Sequence, residues 1–334
     1  PAETDGRLEF MYVKDPASVV IDDRPTYKSA KEFVFPQNEA VLVLDPDGAR
    51  QIEPEGETVV FGVRPCDLAG LTVMKAVFTT GRYADPFFEA RMKRTVVIGL
   101  GCEAMKGGCF CDERGIDLGR SEECDIFVSP GIEDDKRVYA LAAFSERGET
   151  ILEEAAVSGA LSAVPAGTEE PEGREATAAR ERTAAKGKDE LRLPGADENL
   201  VFNLSTWERA SQTCIGCGTC TFICPTCHCF AFRDIREGNR TVRYRIWDSC
   251  MFPRFTAHAS GHNPRATRKE RYRQRVMHKY LYVPANYGLI ACTGCGRCVR
   301  SCPAGVSIRE IVREAAREIA ELRQATTEGQ GDKR

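Results

Sequence analysis

The sequence lacks the features of several common classes of protein. It has no apolar run approaching the length of a membrane span, and it contains only four histidines in 334 residues. It has no Gly-rich phosphate loop and no serine or cysteine with a positioned base. A net charge of -4 does not suggest a general polyanion binder. These absences disfavour a membrane-spanning protein and leave no recognisable catalytic acid, base or nucleophile.

The amino-terminal stretch PAETDGRLEF carries neither a twin-arginine signal nor a charged-then-apolar signal peptide. What the chain does have is sixteen cysteines, most of them in tight groups. Such groups do not suit a secreted disulfide scaffold, and they indicate a reducing compartment. We therefore expect a cytoplasmic location.

Two cysteine runs, Cys214–Pro225 and Cys292–Pro303, follow the same pattern, C-x-x-C-x-x-C-x-x-x-C-P. Bacterial ferredoxins use this run to hold [4Fe-4S] clusters, whereas structural zinc sites normally show two cysteine pairs. In two-cluster ferredoxins the last cysteine of each run ligates the other cluster. The predicted ligands are Cys214, Cys217, Cys220 and Cys302 for the first cluster, and Cys292, Cys295, Cys298 and Cys224 for the second.

The pattern predicts an α+β chain. Residues 1–150 alternate short apolar strands (41–44, 59–63, 96–100 and 126–129) with helix-spaced stretches (68–78 and 87–92), as an α/β domain does. A two-[4Fe-4S] ferredoxin-like domain follows at residues 198–322, with a large insertion at 226–291 between the cluster motifs. The C-terminal stretch 307–322 predicts an amphipathic helix.

The remaining segments contribute little to a core. Between Phe144 and Phe202 there is no aromatic residue, so residues 151–197 are predicted as the end of a helix over 149–164 followed by a charged linker rich in Ala and Glu. The tail 323–334 is predicted to be disordered.

Four more cysteines of the α/β domain follow predicted strands. Cys66 comes just after one strand, and Cys102, Cys109 and Cys111 come just after another. Chains that leave the same edge of a sheet bring their ends together, so the pattern favours a third [4Fe-4S] cluster on these four residues. Simple burial of the thiols is the alternative. Cys124 is interpreted as a cysteine that does not bind the cluster, although it could replace Cys109 or Cys111 as a ligand.

The insertion contains three further cysteines, Cys227, Cys229 and Cys250, and all four histidines of the chain. A metal site on these cysteines and a histidine stays open, but the ligand spacing is irregular and packing around the clusters is favoured. A basic helix is predicted over 266–279. Its cations are expected to face cluster charge or an acidic partner subunit in preference to nucleic acid.

The motifs GVRPCD, GLGCEAMKGGCFC, CIGCGTCTFICPTCHCF, WDSCMF and CTGCGRCVRSCPAGVSI, in this order, resemble a known family. The chain looks like the iron-sulfur beta subunits of cytoplasmic NAD(P)-linked [NiFe] hydrogenases (sulfhydrogenases), and it is equally similar to the A subunit of anaerobic sulfite reductase. The resemblance implies an electron-transfer subunit in a hetero-oligomeric complex. It would relay electrons between a flavin subunit that handles NAD(P)H and a catalytic partner, either a hydrogenase or a sulfite or sulfur reductase.

One competing hypothesis belongs to another class of protein. The chain could be a self-contained iron-sulfur reductase with its active site at the Cys/His insertion or at the N-terminal cysteines. Both hypotheses require [4Fe-4S] clusters, so the sequence predicts redox chemistry in either case.

Overall fold

The computed structural model describes residues 1–22, 24–133, 135–162, 193 and 197–331. Within these ranges it is a mixture of helices and sheets. None of the described helices is both long enough and apolar enough to cross a membrane. Most of the predicted linker, residues 163–192 and 194–196, lies outside the described residues.

In the described residues, ten strands form three sheets. They are β1 (Ala2–Thr4), β2 (Arg7–Glu9), β3 (Asn38–Asp45), β4 (Gly48–Gln51), β5 (Thr58–Val63), β6 (Thr95–Leu100), β7 (Ile126–Glu133), β8 (Lys136–Ala143), β9 (Phe230–Glu237) and β10 (Arg240–Trp247). Strands β1 and β2 form a small antiparallel pair.

The helices are mostly short. They are α1 (Pro65–Thr79), α2 (Pro86–Arg94), α3 (Glu146–Val157), α4 (Glu198–Phe202), α5 (Thr206–Ser211), α6 (Thr219–Phe222), α7 (Arg268–Met277), α8 (Val283–Tyr287), α9 (Arg297–Arg300) and α10 (Ile308–Gly331). Single-turn 3-10 helices occupy Pro16–Ser18, Ala30–Phe33, Asp112–Arg114 and Pro253–Thr256, and a π-helical turn covers His278–Tyr282.

The predicted α/β layer is present. Strands β5, β6 and β7 run parallel, and β8 adds an antiparallel edge. Helices α1 and α2 connect β5 to β6, as a crossover between parallel strands requires. The carboxyl ends of β5 and β6 therefore lie at the same edge of the sheet, where Cys66 and Cys102 follow them.

The insertion contributes to a second four-stranded sheet, in the order β4-β3-β10-β9. Its hairpin β9–β10 pairs antiparallel with β3, which precedes the parallel sheet in the chain. The insertion is thus built onto the N-terminal part of the protein as well as joining the two cysteine runs. Sequence patterns did not predict this pairing, because the two partners are about two hundred residues apart.

The predicted helices agree with the structure except at their ends. The basic helix predicted over 266–279 is α7 followed by the π-helical turn, and Thr267 and Glu270 form a capping box at its start. The C-terminal helix predicted over 307–322 is α10, which extends through Gly331 into the stretch predicted to be disordered. Residues 332–334 lie outside the described residues.

A buried charge network joins the insertion to the N-terminal part. Arg245 of β10 donates to Glu39 of β3 at 2.5 and 3.1 Å and to Asp85, the N-cap of α2, at 2.5 Å. Arg91 of α2 also donates to Glu39, at 2.6 Å. Arg245 is 1% exposed and Glu39 3% exposed, so the removal of Arg245 would leave Glu39 paired only with the more exposed Arg91.

We expect Arg245→Met to lower the free energy of unfolding by about 3–5 kcal/mol, because Glu39 and Asp85 would lose a buried cation. The measurement is anaerobic chemical denaturation of the holoprotein. Arg243→Met is the matched control on the same strand, since Arg243 pairs with Asp234 at the surface. The control substitution should lower the free energy of unfolding by less than about 1 kcal/mol. Equal decreases in the two variants would contradict the conclusion that the buried network stabilises the fold more than a surface ion pair does.

Candidate metal centres

The first site is the predicted set Cys214, Cys217, Cys220 and Cys302. All four cysteines line one cavity with about 460 Å³ of space between atoms, part of it open to solvent. The backbone N–H of Val306 donates to Cys302 Sγ at 3.2 Å, the kind of hydrogen bond that stabilises thiolate ligands. The structure therefore brings the fourth cysteine of the second run to the first run.

The second site is the predicted set Cys292, Cys295, Cys298 and Cys224. Burial raises the pKa of the Cys298 thiol to about 12, and the charges of Cys295, Cys224 and Cys292 add to this shift while Arg275 opposes it. The four thiols therefore lie close enough together for the charge of one to affect the pKa of another. Cys224 and Cys295 are buried and Cys298 is half-buried, so thiolates here would need a compensating positive charge.

The third site is the predicted set Cys66, Cys102, Cys109 and Cys111. These cysteines line a cavity with about 400 Å³ of space between atoms, together with Cys295 of the second site. Burial raises the pKa of Cys66 and of Cys111 well above the usual value for a thiol. The two strand ends and the following loop therefore bring all four thiols to one cavity.

Cys124 does not line this cavity. Its side chain packs against the apolar core around α1, and burial raises its pKa to about 12. Its thiol donates to the Ser121 carbonyl at 3.6 Å. The structure places Cys124 outside the third site.

The loop of the third site is packed directly on the second cysteine run. Phe110 N–H donates to the Gly294 carbonyl at 2.8 Å, and Arg300 donates to Cys109 Sγ at 3.3 Å. Gly294 has φ +64°, and an added Cβ would lie 2.5 Å from the Phe110 carbonyl oxygen. The close approach of the two segments therefore requires glycine at this position.

Two cations of the insertion point inward between the cysteine runs. Arg275 is 2% exposed and donates to the Cys220 carbonyl at 3.2 Å, whereas its Nε has no hydrogen-bond partner. Lys279, one helical turn further on, is 3% exposed and its Nζ lies 3.3 Å from Cys224 Sγ. Within the described residues, neither cation forms a salt bridge with a carboxylate.

This donor set fits iron-sulfur clusters. Buried cations without carboxylate partners need an anion, and a thiolate-ligated [4Fe-4S] cluster is anionic. A hydrogen bond from the neighbouring Cys227 lowers the pKa of Cys224, and Lys279 lowers it further, so Cys224 carries the thiolate of this pair. Thiolates beside buried cations, with a guanidinium N–H that has no other hydrogen-bond partner, are compatible with such a cluster.

The cysteines and histidines of the insertion do not converge on a metal ion. No three His, Cys, Asp or Glu side chains in the described ranges are arranged to hold one. His258 and His262 contact each other in an exposed turn, whereas His228 and His278 contact each other near Phe78. The histidines thus form two separate pairs.

Comparisons with known proteins agree with this chemistry. The family model of the 4Fe-4S dicluster domain matches residues 213–306, which span both cysteine runs and the insertion. Over 319 residues the chain is 28% identical to sulfhydrogenase 2 subunit beta of Pyrococcus furiosus, covering 94% of this chain and 90% of that protein. The resemblance to the iron-sulfur beta subunits of sulfhydrogenases is therefore confirmed. No solved structure gives a significant match.

Sequence reasoning missed the ion pair between Arg297 and Asp67, which lies between the second and third sites. Arg297 belongs to the second run and Asp67 follows Cys66, and their side chains form two hydrogen bonds of 2.7 and 2.6 Å. The inward cations had a detectable signal, since Arg271, Arg275 and Lys279 recur every four residues along a predicted helix. No pattern in the sequence indicated the ion pair.

We expect Gly294→Ala to reduce the iron content by about four atoms per chain, because the new Cβ would displace the Cys109–Cys111 segment from the second run. Iron and acid-labile sulfide analysis of the anaerobically purified protein measures this. Gly305→Ala is the matched control, because Gly305 also has φ +64° but nothing lies within 4 Å of an added Cβ. Equal iron loss in both variants would contradict the packing explanation and leave only the backbone strain of about 1–2 kcal/mol that the two share.

Proposed function

We propose that the chain is the electron-transfer subunit of a multi-subunit oxidoreductase. It would relay electrons through three [4Fe-4S] clusters between a flavin subunit that handles NAD(P)H and a catalytic subunit of the hydrogenase or the sulfite or sulfur reductase type. A [4Fe-4S] cluster takes up and releases single electrons. The protein holds the clusters, sets their spacing and tunes their charge environment.

The observation that carries this proposal is the pair of buried cations between the cysteine runs. Burial of Arg275 and Lys279 without a carboxylate would cost several kcal/mol per charge. The pKa of Lys279 is nevertheless raised, because the charges of Cys224 and Cys227 outweigh its burial. Cluster-bearing thiolates supply the negative charge that makes this arrangement favourable.

The cavities also support an order for the three sites. Cys298 of the second site lines the cavity of the first site, and Cys295 of the second site lines the cavity of the third. The second site thus lies between the other two. A relay in the order first, second, third requires no side chain to move.

The first site is the end that a partner can approach from solution. Cys217 is exposed, and the neighbouring Ile215 is 63% exposed, whereas Cys224 and Cys295 of the second site are each 8% exposed. Outer-sphere electron transfer is favoured where a cluster lies near the surface of its protein. We infer that one partner subunit docks over Ile215.

The decisive experiment compares the isolated wild-type chain with Cys66→Ser. Wild type should contain about twelve irons and the variant about eight, because the third site loses one ligand. Anaerobic iron and acid-labile sulfide analysis gives the count, and EPR of the reduced protein should show fewer interacting spins in the variant.

Cys124→Ser is the control and should retain about twelve irons, since Cys124 lies outside the third cavity. About eight irons in wild type and in both variants would show that Cys66, Cys102, Cys109 and Cys111 are structural thiols. Hydrogen, sulfite or NAD(P)H turnover by the isolated chain with artificial dyes would instead favour the self-contained reductase.

We expect Lys279→Met to lower the reduction potential of one cluster, because the ammonium beside Cys224 stabilises the more negative reduced state. If the contact is worth about 1.4 kcal/mol more to the reduced state, the shift is about 60 mV. Redox titration monitored by EPR measures it. Lys269→Met is the control, since Lys269 lies on the same helix but pairs with Glu208 at the surface. The reduction potentials of the clusters in Lys269→Met should stay unchanged. An unchanged potential in Lys279→Met would contradict the assignment of Cys224 to a cluster.

A further inference from the structure

The segment that borders the first site is strongly basic. Residues 249–309 contain eleven Lys and Arg but a single acidic residue, Glu270, although the whole chain has a net charge of -4. Glu270 belongs to the capping box of α7. Four of the eleven cations are buried, namely Arg271, Arg275, Lys279 and Arg297. Three others lie next to the first site and are here called the basic rim: Arg254, Arg265 and Arg268.

The basic rim is built on a closed loop, residues 253–265. Asn263 Nδ2 donates to the Pro253 carbonyl at 2.6 Å, and the side-chain oxygen of Asn263 accepts from the Arg265 N–H at 2.9 Å. Asn263 therefore joins the two ends of the loop, which brings Arg254 and Arg265 to the same end. Compact surface loops whose ends lie close together are frequently functional.

The loop and the basic rim are packed on the first cysteine run. Arg268 donates to the Cys214 carbonyl at 2.9 Å. An added Cβ on Gly218 would lie 2.7 Å from the ring of Phe252, the residue directly before the loop. These contacts place the basic rim beside Ile215, which follows Cys214 and is 63% exposed.

The basic rim has no counter-charge in the part of the chain that the structure describes. Arg254 and Arg268 are exposed and Arg265 is half-buried, and none of the three forms a salt bridge with a described residue. The first run adds no charged side chain, since residues 211–232 contain no Lys, Arg, Asp or Glu. An exposed apolar residue, Ile215, bordered by unpaired cations has the anatomy of a protein interface, and it is complementary to a surface rich in carboxylates.

We propose that the basic rim is a docking surface for an acidic electron-transfer protein, whose carboxylates pair with Arg254, Arg265 and Arg268 around Ile215. This inference rests on the proposed function and adds the chemistry of one partner. In the complex the reduced partner loses one electron and the first cluster gains it, and no bond forms or breaks. Opposite charges on the two surfaces speed the encounter, and salt weakens this attraction.

The test measures electron transfer from an acidic flavodoxin to the full-length holoprotein by anaerobic stopped flow. The flavodoxin hydroquinone gives up one electron and becomes the coloured semiquinone, which reports the rate. We expect Arg254→Gln with Arg265→Gln to lower the second-order rate constant about tenfold at low salt, because the steering charge is lost. Added salt should slow wild type far more than this rim variant. Arg268 is left in place, because it also supports the Cys214 carbonyl.

Arg233→Gln with Arg236→Gln is the matched control, since it removes the same charge from exposed positions of β9. Its rate constant with flavodoxin should stay within about twofold of the wild-type value. Both double variants should keep the wild-type iron content. The methyl viologen radical, a cationic donor, should reduce both variants at least as fast as wild type, because it is not attracted by the basic rim.

Two results separate the docking surface from the relay. Equal rate constants for flavodoxin with wild type and the rim variant, or no dependence on salt, would overturn the docking proposal alone if methyl viologen still reduces the clusters. Failure of methyl viologen to reduce the wild-type clusters would overturn the relay and the docking proposal together.

Two other occupants of the basic rim can be detected directly. Self-association of the holoprotein in analytical ultracentrifugation that the rim variant loses would assign the surface to a second copy of the chain. Binding of a DNA duplex that falls steeply with salt and is lost in the rim variant would assign it to nucleic acid. Either result would overturn the proposal of an acidic protein partner.

Discussion

The arrangement of the three sites depends on one buried ion pair, Arg297 with Asp67. Both side chains are 1% exposed, and the guanidinium meets the carboxylate through two hydrogen bonds. Arg297 also donates to the backbone and side-chain oxygens of Thr26. An ion pair removed from water is favourable only when its geometry is good and its remaining donors are satisfied, and both conditions hold here. Because Asp67 follows Cys66 and Arg297 lies between Cys295 and Cys298, the pair fixes the third site against the second.

Charge balance links the rest of the interior to the clusters. The protein buries Arg275 and Lys279 beside the thiols of the two runs, and Lys31 beside Cys227. In the absence of iron the buried thiols with raised pKa values would stay protonated, and the cations would lack counter-charge. Binding of clusters by these thiols would remove those protons and supply the missing negative charge, so cluster insertion and final packing should be thermodynamically coupled.

The parts of this structure that the sequence predicted are those fixed by local pattern. Strands β5, β6 and β7 are short apolar runs, α7 and α10 have regular apolar or charged spacing, and the cysteine runs have ferredoxin spacing. The pairing of the insertion hairpin with β3 was not predicted, because a strand pattern specifies which face is buried but not which distant edge it joins. The partner of Arg297 was equally hidden, since Asp67 is 230 positions away in the chain.

The non-local pairings have one consequence in common, which is that they enclose the second site. The insertion supplies Lys279 on one side, and the Cys109–Cys111 loop covers the second run on the other. The first site keeps an exposed cysteine, Cys217. In the relay that we propose, the centre is covered and electrons would exchange with partners at the ends, so buried charge would set the potential of the central cluster independently of the docked partner. A minimal two-cluster ferredoxin with a short connection between its runs has no comparable cover. The large insertion would therefore isolate the centre of the proposed relay.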